Sequence, residues 1–258
     1  MAIFAFHKTD QSFSIGFNNY KPARLRKLLA SLIQSQHQFI SLDAYLDAPA
    51  TDRGLIALTF DDGYESFFRH AFPLLQELSI PATLFIPAAF IGDSDRWDYS
   101  NILRTARHLN RNQIRELSDE GIAFGSHGYS HACLVGMTGR LLKLEMERSR
   151  GVLEDITGRR IRYISYPFGR FDRRVESYAL EAGYEKGFSL SSFRKSDSGF
   201  TLARHGIYAV DTPYSVARKI DGSLLSRLER LKGAVINAYA SGTIFLNHLR
   251  KQNIQQRH

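Results

Sequence analysis

The chain has little cysteine, little tryptophan and no long apolar run. Its single cysteine, Cys133, excludes an internal disulfide and is typical of a reducing compartment. No run of eighteen or more apolar residues is present, so we expect no transmembrane helix. Residues 1–6 have neither a basic segment nor a long apolar segment, and we expect no secretory signal there.

Charge of one sign is in excess. The 34 Lys and Arg residues outnumber the 26 Asp and Glu residues, which gives a formal net charge of +8. The basic residues form small clusters at 24–27, 159–162, 170–174 and 250–251. We interpret them first as a solvated surface and second as an attraction for an anionic substrate or membrane surface. No helix-turn-helix, zinc-finger or aromatic RNA-binding pattern accompanies this charge, so we predict no nucleic-acid partner.

Short β-rich runs alternate with helical patterns along the chain. Strands are predicted at 3–7, 55–60, 82–86, 122–125, 161–166, 184–190, 206–210 and 243–247, and helices at 22–33, 67–78, 114–118, 142–156, 175–182 and 223–240, with a kink or break at Pro73. This alternation indicates βαβ units and a mostly parallel sheet, and about seven such units favour a barrel over an open sheet.

Two pairs of chemically active residues follow predicted strand ends. Asp61 and Asp62 end an apolar strand, and His127 and His131 lie four residues apart after a later strand. Either pair alone is also typical of a surface turn or a surface pair. Together, one carboxylate and two imidazoles form a His2Asp set suited to Zn²⁺ or another divalent first-row ion, with positions left for water and substrate. The other Asp stays available as a base, and the set indicates metal-assisted hydrolysis.

Four segments carry a resemblance to a known family. They are Thr59-Phe60-Asp61-Asp62-Gly63, His127-Gly128-Tyr129-Ser130-His131, Tyr166-Pro167-Phe168-Gly169 and Leu246-Asn247-His248. In this order they resemble motifs of the NodB-like polysaccharide deacetylases, carbohydrate esterase family 4, over about residues 55–248. The resemblance implies a distorted (β/α)7 barrel, here a single domain with an N-terminal elaboration, 1–54, and a catalytic core, 55–248. It also implies hydrolysis of N-acetyl or O-acetyl groups on sugars.

The resemblance assigns a role to residues of each motif. It implies that Asp61 is the catalytic base and that Asp62, His127 and His131 hold one divalent metal, with Zn²⁺ expected first and Co²⁺, Mn²⁺ or Ni²⁺ as alternatives. It implies that His248 is the general acid that protonates the departing amine. The remaining motif residues would bind or orient the substrate, with the Phe168 N–H on the oxyanion and Leu246 against the acetyl methyl; they are Tyr166, Pro167, Phe168, Gly169 and Leu246.

The chain departs from the family pattern in two places. Many members have an arginine that holds the catalytic aspartate where this chain has Ser165. We interpret Arg204 first as a surface charge and second as a replacement guanidinium that reaches Asp61 from another direction. The Asp-Trp pair of the fourth motif is absent, because Trp97 lies far upstream. We interpret His7, after the first strand, as a structural histidine, and Cys133 as a small buried residue rather than a fourth ligand.

The predicted function is metal-dependent removal of an acyl group, N-acetyl first, from an amino sugar or glycan. Two alternatives are hydrolysis of another amide, of the formamide or ureide type, and a catalytically inactive glycan-binding module. The positive charge suits a lipid- or phosphate-linked glycan. Because residues 1–6 do not resemble a secretory signal, we expect a cytoplasmic protein, with the cytoplasmic face of the membrane as a second location.

Overall fold

The computed structural model describes residues 1–12, 16–49, 51–52, 54–94, 106–190 and 198–220. The strands within these ranges are Ala2–Phe6 (β1), Gln38–Ile40 (β2), Leu55–Phe60 (β3), Ala82–Ile86 (β4), Ala123–Ser126 (β5), Tyr163–Ser165 (β6), Lys186–Leu190 (β7) and Thr201–Gly206 (β8). The α-helices are Pro22–Gln34 (α1), Leu42–Asp47 (α2), Phe72–Glu77 (α3), Arg111–Asp119 (α4), Gly139–Thr157 (α5), Arg173–Glu181 (α6) and Pro213–Ile220 (α7). None of these helices combines the length and apolar character that crossing a bilayer requires.

Seven strands close into a parallel barrel. Their order is β1, β3, β4, β5, β6, β7 and β8, and β8 pairs back onto β1. The short β2 lies outside this ring and pairs with the first half of β3, while β4 pairs with the second half. This closure confirms the predicted distorted (β/α)7 barrel in a single domain. The barrel includes β1, which comes from the segment predicted to be an N-terminal elaboration, and the division at residues 54 and 55 stays a prediction.

The barrel separates two apolar clusters. The inner cluster fills the barrel and consists of Ile3, Leu42, Ala57, Phe85, Tyr163 and Phe188. The larger outer cluster packs the opposite strand faces, such as Leu58 and Phe60, against the surrounding helices. Because successive residues of a strand face opposite sides, Thr59 shares the inner face with Ala57, and Asp61 continues that face beyond the end of β3. Sequence parity thus points Asp61 into the mouth of the barrel.

Most predicted elements lie where the periodicity placed them. Pro73 acts as predicted: a π-helical turn, Phe67–Ala71, precedes α3, and the proline lies in the first turn of α3, where its missing N–H costs nothing. The strand predicted at 206–210 was wrong, because β8 spans Thr201–Gly206. This strand contains Arg204, which is buried, and an arginine is not a residue type from which a buried barrel strand is predicted. The short β2 and α2 were not predicted. The helix predicted at 223–240 and the strand at 243–247 lie outside the described residues.

Candidate active site

The polar groups of the motifs meet at one end of the barrel. Asp61 and Asp62 follow β3, His127 follows β5 and Ser165 ends β6. The carboxyl ends of parallel barrel strands lie at the same face, which is where barrels of this kind carry their active sites. Arg204 joins them from β8.

Three side chains form the metal trio, which we define as Asp62, His127 and His131. Their candidate ligand atoms all lie within 4.8 Å of one another, and all three residues are buried. Asp62 Oδ1 lies 3.4 Å from His127 Nε2 and 3.2 Å from His131 Nε2. His127 Nδ1 donates to the Ser165 carbonyl over 2.7 Å, since a carbonyl only accepts, and this leaves the Nε2 lone pair for the trio.

The electrostatics of the trio favour positive charge among its ligand atoms. Burial alone would raise the pKa of Asp62, but hydrogen bonds to His127 and His131 hold it well below its ordinary value. Burial alone would lower the pKa of His127, but the Asp61 and Asp62 carboxylates outweigh burial and raise it. One carboxylate and two imidazoles in surroundings that favour positive charge are compatible with a divalent metal.

The backbone around Asp62 is unusual and is held in place. Asp62 has φ 69°, in the left-handed region that Asp tolerates better than most residues. His108 Nδ1 donates to the Asp62 carbonyl over 2.7 Å and so fixes this conformation. Gly63 follows with φ 60°, and a Cβ there would lie 2.5 Å from Ile86 Cδ1. The Asp-Asp-Gly turn therefore needs its glycine for both conformation and space.

Arg204 binds Asp61 with a two-pronged contact. Nη1 donates to Asp61 Oδ1 over 2.8 Å and Nη2 to Oδ2 over 2.7 Å. The other N–H groups of these nitrogens reach Thr59 Oγ1, at 2.9 Å, and Ser165 Oγ, at 2.7 Å. Arg204 is 0% exposed and Asp61 is 3% exposed. Burial raises the pKa of Asp61, but the Arg204 guanidinium and then His127 outweigh it, so the pKa lies below its ordinary value.

Ser165 connects the carboxylate to the metal trio. Its Oγ accepts from Arg204 and donates to Asp61 Oδ2 over 3.3 Å, while its carbonyl accepts from His127. A serine at this position is short enough to leave room for a guanidinium that enters from β8. The sequence departure at Ser165 and the buried arginine of β8 are therefore two parts of one arrangement.

His7 lies beside the two aspartates. The parallel register pairs Phe6 with Phe60, and the Asp61 N–H donates to the Phe6 carbonyl over 2.8 Å, so His7 follows β1 alongside Asp61. Burial raises the pKa of both Asp61 and Asp62, and the groups named above lower it. A charge on His7 is a smaller effect that also lowers the pKa of both carboxyls. Its Nδ1 is buried without a hydrogen-bond partner among the residues that the structure describes. This differs from the structural histidine expected from sequence.

The third motif forms a short turn beside the trio. Pro167–Gly169 is a 3-10 turn after β6, in which Phe168 has φ 60° and its ring centroid lies 5.0 Å from that of His131. Tyr166 is buried in the outer apolar cluster and stacks on Phe171 with centroids 5.3 Å apart, so its ring packs in the core and not against a substrate. Cys133 is half-buried and is not among the three ligand residues. The structure does not describe Trp97, Leu246 and His248.

Sequence reasoning missed three residues that support the site. Thr59 and His108 bind Arg204 and the Asp62 backbone as described above, and Glu145 of α5 accepts hydrogen bonds from the loop between His127 and His131. Glu145 carried a detectable signal, since a carboxylate stands on the same helical stripe as Leu142 and Met146, which are buried. Thr59 belongs to the first motif but received no role there, and His108 carried no signal, because the partners of both residues are distant in sequence.

Comparison with known proteins gives consistent matches. A sequence model of the family described as polysaccharide deacetylase matches residues 48–187. The peptidoglycan-N-acetylmuramic acid deacetylase PdaA of Bacillus subtilis is 27% identical over 172 residues, which are 66% of this chain and 57% of the relative. The poly-β-1,6-N-acetyl-D-glucosamine N-deacetylase of Escherichia coli is 26% identical over 156 residues, 54% of this chain and 22% of the relative. The chain spans about half the length of the first curated relatives it matches.

Solved structures share the barrel. A polysaccharide deacetylase from Bacillus cereus superposes with a TM-score of 0.70 at 23% identity, covering 85% of this chain and 68% of that one. The Streptococcus pyogenes deacetylase PplD, solved with acetate, gives a TM-score of 0.71 at 18% identity, covering 86% of this chain and 98% of that one. The segment matched by the family model, 48–187, is more than half of the chain and contains both aspartates and both histidines. The chain therefore belongs to the polysaccharide deacetylase family.

Proposed function

We propose that this protein is a metal-dependent hydrolase that removes an acyl group, N-acetyl first, from an amino sugar or glycan. The observation that carries this proposal is the metal trio beside a buried carboxylate that an arginine keeps ionised. The His2Asp donor set suits Zn²⁺, with Co²⁺, Mn²⁺ or Ni²⁺ as alternatives. When bound, such an ion supplies Lewis-acid polarisation of the acyl oxygen and makes water more acidic.

Asp61 is the proposed base. Arg204 keeps its carboxylate ionised at neutral pH and fixes both oxygens, so that it can accept a proton from the water that attacks the acyl carbon. A carboxylate with a lowered pKa is a weak base, and this would suit a water made more acidic by an ion that the trio holds. We assign the Phe168 N–H, in its left-handed turn beside His131, to the developing oxyanion. Pro167 and Gly169 fix this turn, and Leu246 remains the predicted wall against the acetyl methyl.

The departing amine needs a proton, and two histidines are candidates for the acid. His248 is predicted from the last motif and lies outside the described residues. His7 is supported by its register with Asp61 and by a buried Nδ1 that has no partner in the described part of the chain. It also lies outside the metal trio, so its ring is not needed as a ligand.

An experiment with two leaving groups separates these candidates. His7→Gln and His248→Gln are each assayed on an N-acetyl amino sugar, whose amine must be protonated, and on an aryl acetate, whose phenolate leaves without a proton. The variant that lacks the acid should lose about 10²- to 10⁴-fold on the amide and little on the ester. The other variant serves as the matched control. If both variants turn over the amide like wild type, neither histidine is the acid.

The proposed function is tested by a screen of metal-loaded protein. Purified protein, stripped and reloaded with Zn²⁺, should release acetate from N-acetylated sugars, and stripping should abolish the release. Formate from N-formylated sugars, or opening of a ureide, would support the alternative amide hydrolase. Glycan binding without any acid released would support an inactive binding module. Phosphate-bearing and neutral substrates are compared at low and high salt, since screening weakens attraction by the net charge of +8.

The net charge also supports the proposed substrate carrier and location. A lipid- or phosphate-linked glycan at the cytoplasmic membrane face would be attracted by a protein with 34 basic and 26 acidic residues. In the salt comparison, a preference for phosphate-bearing substrates that disappears at high salt supports this carrier, and equal rates at both salt concentrations count against it.

A further inference from the structure

The loop between the two histidines of the trio is held by a buried carboxylate that the proposed mechanism does not use. Glu145 lies on α5 and is 9% exposed. Its Oε2 accepts the backbone N–H groups of Tyr129, at 2.8 Å, and Ser130, at 2.9 Å. Its Oε1 accepts the Ser130 hydroxyl over 2.5 Å. One side chain thus binds two consecutive amides and a hydroxyl of the three-residue loop.

The rest of this loop is bound from other sides. Ser126 Oγ accepts the Gly128 N–H over 3.1 Å. The carbonyls of Gly128 and Tyr129 accept from the amides of Ala88, at 3.3 Å, and Ala89, at 2.9 Å. Every backbone amide between the histidines is therefore bound, and Glu145 binds two of the three.

Glu145 occupies a position of α5 where a carboxylate is energetically unfavourable. It stands on the buried stripe of α5, where an apolar residue would avoid the cost of removing a carboxylate from water. Three short hydrogen bonds from the loop offset that cost. They act directly before His131, whose φ of 54° lies in the left-handed region and is sustained only by its surroundings.

We propose that Glu145 is a positioning residue of the metal site. By fixing the loop, its carboxylate sets the separation and direction of the His127 and His131 rings around the ion. This inference rests on the proposed metal dependence. Residues that orient metal ligands typically change metal affinity by about 10- to 100-fold when they are removed. Glu145→Ala should therefore weaken Zn²⁺ binding by about that factor.

The test of this proposal measures metal binding by the Glu145 variants and does not depend on enzymatic activity. Zn²⁺ affinity is measured by competition with a chelator, and the visible absorption of the Co²⁺-loaded protein reports the ligand geometry. Glu145→Gln removes the charge but keeps a carbonyl for the two amides and an NH₂ for the hydroxyl, and we expect it to stay within about threefold of wild type, because positioning depends on these hydrogen bonds. Glu147→Ala, on the same helix with a side chain 51% exposed, is the matched control and should behave like wild type.

The outcomes separate this inference from the proposed function. If wild-type protein binds no divalent metal, the proposed function fails. If wild type binds metal and folded Glu145→Ala shows the same affinity and Co²⁺ spectrum, the positioning role is refuted. An equal loss in the Gln and Ala variants also refutes it, since charge alone would then explain the effect. Should Glu145→Ala not fold, Glu145→Asp withdraws the carboxylate from the loop, and wild-type affinity in that variant overturns the inference.

Discussion

Asp61→Asn is expected to lower turnover by about 10²- to 10⁴-fold while the protein keeps its metal. The amide that replaces the carboxylate cannot accept a proton from water. The three proposed ligands stay unchanged, because Asp61 is not one of them. The measurement is kcat on an N-acetylated amino-sugar oligomer, together with the metal content of the same protein sample.

The matched control for this variant is Asp62→Asn. It alters the carboxylate of the metal trio and should lose the metal as well as the activity. The two variants should therefore differ in metal content, because Asp61 is needed for proton transfer and Asp62 for binding the ion. Turnover near the wild-type level in Asp61→Asn would contradict the assignment of the base.

Arg204→Met is expected to destabilise the protein by about 3–5 kcal/mol, because it leaves the Asp61 carboxylate buried without its cation. It should also alter the pH dependence of activity. Burial raises the pKa of Asp61, and the guanidinium is the largest of the effects that oppose burial. In the variant we expect this pKa to rise, so the acidic limb of kcat/KM should move to higher pH. Thermal unfolding and a pH–kcat/KM profile measure both effects.

The double variant Asp61→Asn/Arg204→Met isolates the pair. It leaves neither a buried carboxylate nor a buried guanidinium without its partner, so it should be more stable than the sum of the single variants predicts. It should remain inactive, since the base is absent. Arg204→Lys should fall between wild type and Arg204→Met, because one ammonium cannot reproduce the two-pronged contact. A wild-type unfolding temperature and pH profile in Arg204→Met would exclude this role.

The barrel could be predicted from sequence because its signals are local. Alternating strands and helices, an apolar run before Asp61, and a proline that separates two helical turns each depend on neighbouring residues. The prediction was wrong at β8, which spans Thr201–Gly206, because an arginine in a strand is interpreted as exposed unless its partner is known. It missed β2, whose three residues are too few for a periodicity to be visible.

The sequence alone determined the family motifs, the order of the strands that carry them, and the donor set of Asp62, His127 and His131. Spacing and residue type indicated one carboxylate and two imidazoles, since ligand chemistry belongs to the side chains themselves, and the resemblance implied Asp62 as that carboxylate. Only the tertiary structure decided what holds Asp61 and what lies beside it. Arg204 comes from β8 and His7 follows β1, and both reach Asp61 because closing the barrel brings the ends of distant strands together. Contacts across 143 residues of chain leave no local pattern that a sequence could display.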